Sequence, residues 1–167
     1  VMTCLTLHQV LSQLSLMRLR RLMSLNKIPV QIVADSSDFI PQYKTPGSAA
    51  ADLIANLPDG EIILHHSDSA IVDVGFSMAL PIGWEAQIRP RSGLAAEFQL
   101  QVTNSPGTID SDYRGRVKVI LNNAGSKAIT IKHRDRFAQI CLKPVFIFDW
   151  QETQNLDNTE RGTGGFG

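Results

Sequence analysis

The sequence predicts an all-β chain, a jelly-roll-like sandwich or barrel with one short helix. Two observations predict it. Apolar and polar residues alternate with a period of two in many short runs, the pattern of half-buried strands. Those runs recur about every 8–12 residues and are separated by Gly and Pro turns, as in antiparallel sandwiches and barrels. The 167 residues suit one domain. A chain of this length buries roughly 70% of its unfolded surface, so it needs no disulfide or metal staple.

Taken in order, Ile28–Val33 is a first strand, with Pro29 tolerable near its start. Leu57-Pro-Asp-Gly60 is a turn that leads into Glu61–Leu64. Ala70–Val74 and Phe76–Leu80 read as two strands separated by Gly75. Pro81-Ile-Gly83 turns into Trp84–Arg89. Gly93–Gln99 holds good helix formers, with Ser92 as the expected cap. Asn104-Ser-Pro-Gly107 concentrates turn chemistry, and Val117–Leu121 alternates as a strand, so the segment between reads as a hairpin. Asn122–Ser126 is a further turn. Ala128–Lys132, Phe137–Leu142 and Val145–Phe148 complete the strands.

The two ends differ from this body. Residues 1–27 carry Arg18, Arg20, Arg21 and Lys27 and no acid. They read as an upstream extension with Met23 as a start, the alternative being an organelle transit segment. They are too polar and interrupted to span a membrane. Residues 151–167 are polar, without apolar periodicity, and read as a flexible arm. The domain therefore occupies residues 28–150.

Lys plus Arg equals Asp plus Glu, at 16 each. That balance argues against nucleic acid as a partner, which calls for a basic excess. Cys4 and Cys141 fit no metal or redox spacing, which points to a reducing compartment and the cytoplasm. No His, Cys, Asp or Glu cluster has the spacing of a metal cage, so a divalent ion would be carried by the phosphates of a substrate.

Several stretches carry chemistry. Residues 104–118 hold Asp110, Asp112, Tyr113 and two arginines between turn and strand. Arg91 and Ser92 stand just before the helix, a guanidinium, a hydroxyl and free N–H groups together suiting phosphate. Arg136 and Gln139 lie three apart on a strand, which puts them on opposite faces unless a bulge intervenes. Asp52 sits among small residues. The tail Arg161-Gly-Thr-Gly-Gly-Phe-Gly167 is neither a dinucleotide-binding loop nor a Walker A loop, since no helix or Gly-Lys-Ser/Thr follows. Its backbone can still nest an anion, and Phe166 can stack on a base.

Five of these segments occur together and in order: Ser48–Leu53, Pro90–Ala95, Gly107–Gly115, Arg134–Gln139 and Arg161–Gly167. As a set they resemble the five motifs of the trimeric dUTPase family. The resemblance covers about residues 28–167 and implies a jelly-roll homotrimer with three active sites at subunit interfaces. It implies hydrolysis of dUTP to dUMP and pyrophosphate with Mg²⁺.

By that resemblance Asp110 is the carboxylate that orients and deprotonates the attacking water. Tyr113 packs under the deoxyribose and leaves no room for a 2′-hydroxyl. Asn104 and the backbone of Gly107, Thr108, Ile109 and Asp110 read uracil, with main-chain help from Lys118. Arg91, Ser92 and Gly93 bind phosphate; Arg136 and Gln139 join them. Asp52 holds metal-bound water in an outer shell. Arg161, Gly164, Gly165 and Phe166 belong to the arm that closes over a neighbouring site. The family's last motif usually runs a few residues past the point where this sequence stops; if that end is native, the resemblance implies one phosphate contact fewer in the closed arm. Two alternatives accompany this reading: a dCTP deaminase-like enzyme, whose relatives usually carry Arg-Ser-Ser where Arg91-Ser92-Gly93 stands, and a non-catalytic nucleotide-binding module on the same fold.

Overall fold

The computed structural model describes residues 27–166; the N-terminal extension up to Asn26 and the terminal Gly167 lie outside it. Ten strands and one short helix form an all-β, jelly-roll-like body. The strands are β1 (Gln31–Ala34), β2 (Ala51–Ile54), β3 (Glu61–Leu64), β4 (Ser69–Ala79), β5 (Trp84–Pro90), β6 (Leu100–Val102), β7 (Gly107–Ile109), β8 (Arg116–Asn123), β9 (Ile129–Lys132) and β10 (Arg136–Pro144). The helix α1 is Ser92–Phe98. One sheet runs β1-β4-β8-β6, a second β2-β10-β5-β7, and β3 pairs with β9 in a ribbon.

A single core draws on all three sheets: Val72, Val74 and Phe76 of β4, Val119 and Leu121 of β8, Leu53 of β2, Ile88 of β5, Phe137 of β10, Leu64 of β3 and Ile131 of β9. These are the inward positions of alternating strands, and burying each such side chain contributes about 1.5–3 kcal/mol.

The structure corrects four expectations. The two strands on either side of Gly75 are one, β4, continuous from Ser69 to Ala79. Gly75 marks an irregularity in its pairing with β8, between Asp73 and Ser77. Its φ is +81°, and a Cβ there would overlap the Phe39 ring, so only glycine fits. Val145–Phe148 forms no strand: the segment after β10 is exposed, and no described strand pairs with it. Ser92 does not cap α1; it is the first helical residue, and Arg91 occupies the cap position without a side-chain bond. Finally, β7 and β8 do not pair as a hairpin. β7 hydrogen-bonds to β5 and β8 to β4 and β6, so residues 110–115 cross from one sheet to the other.

The one fully buried polar side chain among the described core is Asn123. Its amide N–H groups donate to the carbonyls of Leu64 at 2.9 Å and Lys127 at 2.8 Å, and its oxygen accepts from the Gly125 N–H at 3.0 Å. One side chain thus stitches β8 to the β3–β9 ribbon. Replacing Asn123 with Ala orphans three backbone groups, and we expect a loss of about 2–4 kcal/mol in urea denaturation, with an unchanged m-value.

Candidate active site

Outside the C-terminal arm, the residues singled out by sequence fall into two groups, each beside its own cavity. The first is cationic. Asp52 on β2 stands opposite Gln139 on β10, which in turn stands opposite Arg89 on β5. Arg91 follows β5 directly, so the same ladder delivers it next to Asp52. Arg91 Nε lies 3.2 Å from one Asp52 carboxylate oxygen, and Arg136 Nη1 donates to the other at 3.1 Å. Arg91 Nη1 also donates to the Arg136 carbonyl at 2.7 Å, and Gln139 Nε2 to the Pro90 carbonyl at 2.8 Å. The pairing of β10 with β2 shifts between Arg136 and Ala138, the bulge that the spacing of Arg136 and Gln139 required.

Two guanidinium groups sharing one carboxylate leave one net positive charge. Several of their N–H donors remain free for an anion. They border a cavity of about 490 Å³ whose lining also includes the carboxylate of Asp135 and the apolar Leu94, Phe98, Ile129 and Ile131. Ser92 and Gly93 are exposed in the first turn of α1 beside it.

The second cavity, about 300 Å³, is a cleft lined by Thr108, Ile109, Asp110, Tyr113 and Lys118, with Ile71, Arg116 and Ile120. β7 reaches it because Ile88 of β5 pairs with Gly107 and Ala86 with Ile109. Asp110 is exposed just past the end of β7, and the Tyr113 N–H donates to its carbonyl at 3.3 Å. The Tyr113 hydroxyl donates to the Arg116 carbonyl at 3.0 Å. A Cβ at residue 115 would overlap the Tyr113 ring, so Gly115 is the seat on which that ring lies. Asn104 packs its amide against Gly107 at the entrance of the turn.

The two cavities share no lining residue. Asp110 and Tyr113 are therefore gathered in one place, and Asp52, Arg91, Arg136 and Gln139 in another. Arg161, Gly164, Gly165 and Phe166 join neither: residues 151–166 are exposed throughout, with only a local turn in which Arg161 Nε donates to the Gly164 carbonyl at 2.8 Å.

Arg116 was missed by sequence reading. It donates to both Asp35 oxygens at 2.6 Å and to Asp73 at 2.7 and 3.1 Å. The Arg116 hydrogen bond holds the Asp35 carboxyl below the usual carboxylate range. Burial pushes the Asp73 carboxyl up, but its bonds from Arg116 and the Gly75 N–H outweigh that, and it also sits low. The bond to Asp35, then that to Asp73, raises the Arg116 guanidinium further above its ordinary value. Its partners lie 81 and 43 residues away in sequence, so no local pattern announces them.

Among the described residues no three His, Cys, Asp or Glu side chains could hold a metal ion. No helix there is long and apolar enough to cross a membrane. The Asp52 carboxylate, engaged by two arginines, suits an outer-shell contact through water rather than direct coordination.

Fold and site define a class of chain: a β body that presents a cationic cavity and a tyrosine–carboxylate cleft separately. Residues 37–167 match the dUTPase family model. The deoxyuridine 5′-triphosphate nucleotidohydrolase of Roseobacter denitrificans is 49% identical over 134 residues, 80% of this chain and 88% of that protein. The enzyme of that name from Desulfotalea psychrophila is 48% identical over 128 residues, 77% of this chain and 85% of its own. A Staphylococcus bacteriophage 80alpha dUTPase mutant, solved with dUpNHpp, superimposes with a TM-score of 0.71 at 17% identity, covering 83% of this chain and 96% of that one. A mutant dUTPase of S. aureus phage phi11, solved with a structural Mg(II) ion, gives 0.67 at 15% identity over 78% and 99%. The chain belongs to the dUTPase family.

The lowered carboxyls set a pH dependence. Ionised Asp35 and Asp73 are favoured in the folded state, so their contribution is complete above the unfolded-chain value of about 4 and is lost as pH falls through the lower folded values. We expect wild type to be more stable than Arg116→Gln from pH 5 to 8, by a constant margin in chemical denaturation. The margin should close below about pH 4.

Proposed function

We propose that the protein is a dUTP pyrophosphatase, hydrolysing dUTP to dUMP and pyrophosphate, and that it works as a homotrimer whose sites are shared between subunits. The observation that carries this is the division of the candidate residues between two cavities. A nucleoside cleft with a carboxylate lies on one, a cluster with surplus positive charge on the other, and a triphosphate substrate needs both at once. A second copy that sets its cationic cavity against this cleft completes the site. The exposed Phe146, Ile147, Phe148 and Trp150 support the reading, since a monomer rarely leaves so many large apolar groups together in water.

In this reading Asp110 holds the attacking water by hydrogen bond and takes its proton as the water closes on the α-phosphorus. Asp110 directly follows Ile109, the last residue of β7 paired with β5. Uracil is read by the backbone of Gly107 to Asp110 together with Asn104; cytosine inverts the donors and acceptors and leaves those groups unpaired. Lys118 adds main-chain contacts. Tyr113, seated on Gly115, sets the clearance under the sugar. Arg91, Ser92, Gly93, Arg136 and Gln139 bind the phosphates and neutralise charge that builds up on them during in-line attack.

Asp52 would hold Mg²⁺ through water, and the ion would supply charge neutralisation for the triphosphate. The arm, through Arg161, Gly164, Gly165 and Phe166, closes over a neighbouring site and excludes water. Cys141 is a buried free thiol, in keeping with a reducing compartment, and we place the enzyme in the cytoplasm.

The test is turnover of dUTP and dCTP with product analysis. Wild type should release pyrophosphate from dUTP and no ammonia from dCTP; ammonia release would favour the deaminase-like reading. Asp110→Asn should lower kcat for dUTP by about 10²–10⁴-fold with little change in KM. Undiminished kcat in that variant would remove Asp110 from the role of base.

A further inference from the structure

We propose that Arg116, clamped between Asp35 and Asp73, is a positioning residue that sets the place of the Tyr113 ring in the cleft and thereby the selectivity for deoxyribose over ribose nucleotides. This assignment rests on the dUTP reading above. It begins with how little else holds the ring. Residues 110–115 belong to no strand and are exposed or half-buried. Within that segment the Tyr113 backbone donates its N–H to the Asp110 carbonyl and accepts from Arg114 Nη1 at 3.0 Å, while the ring itself has one hydrogen bond, from its hydroxyl to the Arg116 carbonyl. The ring lies on Gly115, where any side chain would collide with it. Its location is therefore inherited from the backbone of Gly115 and Arg116.

That backbone stands at a weak point. Arg116 opens β8 opposite Ser77, and the next regular pair is Lys118 with Asp73. From Ser77 to Asp73 is four positions on β4 against two on β8, so the regular ladder is broken beside Arg116. The guanidinium spans the break. It forks onto Asp35 just past β1 and onto Asp73 within β4, tying three strands together at the base of the Tyr113 loop. Both carboxylates are themselves fixed: Asn56 Nδ2 donates to Asp35 at 2.9 Å, and the Gly75 N–H donates to Asp73 at 2.6 Å. The Asp35 N–H donates in turn to the Gly75 carbonyl at 2.9 Å.

Arg116 also lines the cleft beside Tyr113, so a shift of the clamp moves both a wall and the ring's hydroxyl acceptor. A hydroxyl is excluded by steric clearance alone, and clearance is the property that a sub-ångström drift spoils first. Turnover depends on Asp110, which is held from the β7 side, so loosening the clamp should affect selectivity more than rate.

The experiment compares kcat/KM for dUTP and UTP in wild type and three full-length variants. Arg116→Gln should lower the dUTP:UTP ratio by about tenfold or more while kcat for dUTP stays within about threefold. Asp35→Asn, which keeps the Asp73 arm of the clamp, should shift the ratio in the same direction by less. Arg134→Gln removes a comparable surface pair, Arg134–Asp38 at 2.9 Å, and should leave the ratio unchanged. Global destabilisation lowers both substrates' rates together and cannot move the ratio. A folded Arg116→Gln protein with wild-type selectivity overturns the proposal; should that variant not fold, an unchanged ratio in Asp35→Asn does so. Wild type that leaves dUTP intact overturns the underlying function, and this assignment with it, whereas selective wild type beside equally selective variants condemns the clamp alone.

Discussion

β5 is hydrogen-bonded on both sides, and that double ladder is the constraint on which the rest of the structure depends. On one flank β10 sets Gln139 opposite Arg89 and carries Arg136 toward Asp52. On the other flank β7 sets Gly107 opposite Ile88 and ends at Ile109, one residue before Asp110. Past its own end β5 delivers Arg91 and then α1. A one-residue slip in either ladder would turn every one of these side chains to the opposite face. The buried Ala86 and Ile88 prevent the slip, because the inward register of β5 is held by the core. Core packing and site geometry are thus the same alternation seen from two faces of one strand.

The same ladder explains why the candidate residues fall into two groups. β7 and β10 lie on opposite edges of β5, so groups that end on one edge do not converge with groups that end on the other. In the proposed function it is another copy that brings Asp110 and the arginines together. Each half is organised for its share. The cationic half shares one carboxylate between two arginines and keeps donors free. The nucleoside half seats an aromatic ring on a glycine and fixes its hydroxyl to the next strand.

Much of this was legible in the sequence, and the exceptions have physical causes. Strand periodicity located β3, β5, β8, β9 and most of β10. Gly75 reads as a break because a residue without a side chain interrupts the alternation, yet backbone pairing carries on around it as a bulge. Val145–Phe148 reads as a strand because alternation reports that a face is to be buried and is silent about which chain buries it. Ser92 has the chemistry of a cap but sits one position inside α1. The motif residues stand in the sequence as an ordered set, while their division between two cavities follows from strand order, which a linear list does not contain. The Asp35–Arg116–Asp73 clamp left no local trace at all, since its members meet only after three strands have paired.

The central claim is that Asp110 of one subunit serves the arginines of another. Two inactive variants, Asp110→Asn and Arg91→Ala, test it when they are mixed, allowed to exchange subunits and assayed with dUTP. Each variant retains the half-site that the other lacks. If the halves come from different chains, random reassortment should restore about a quarter of the wild-type rate per site. Activity that stays at the level of the parents after verified exchange would mean that both halves come from one chain, and would contradict the account.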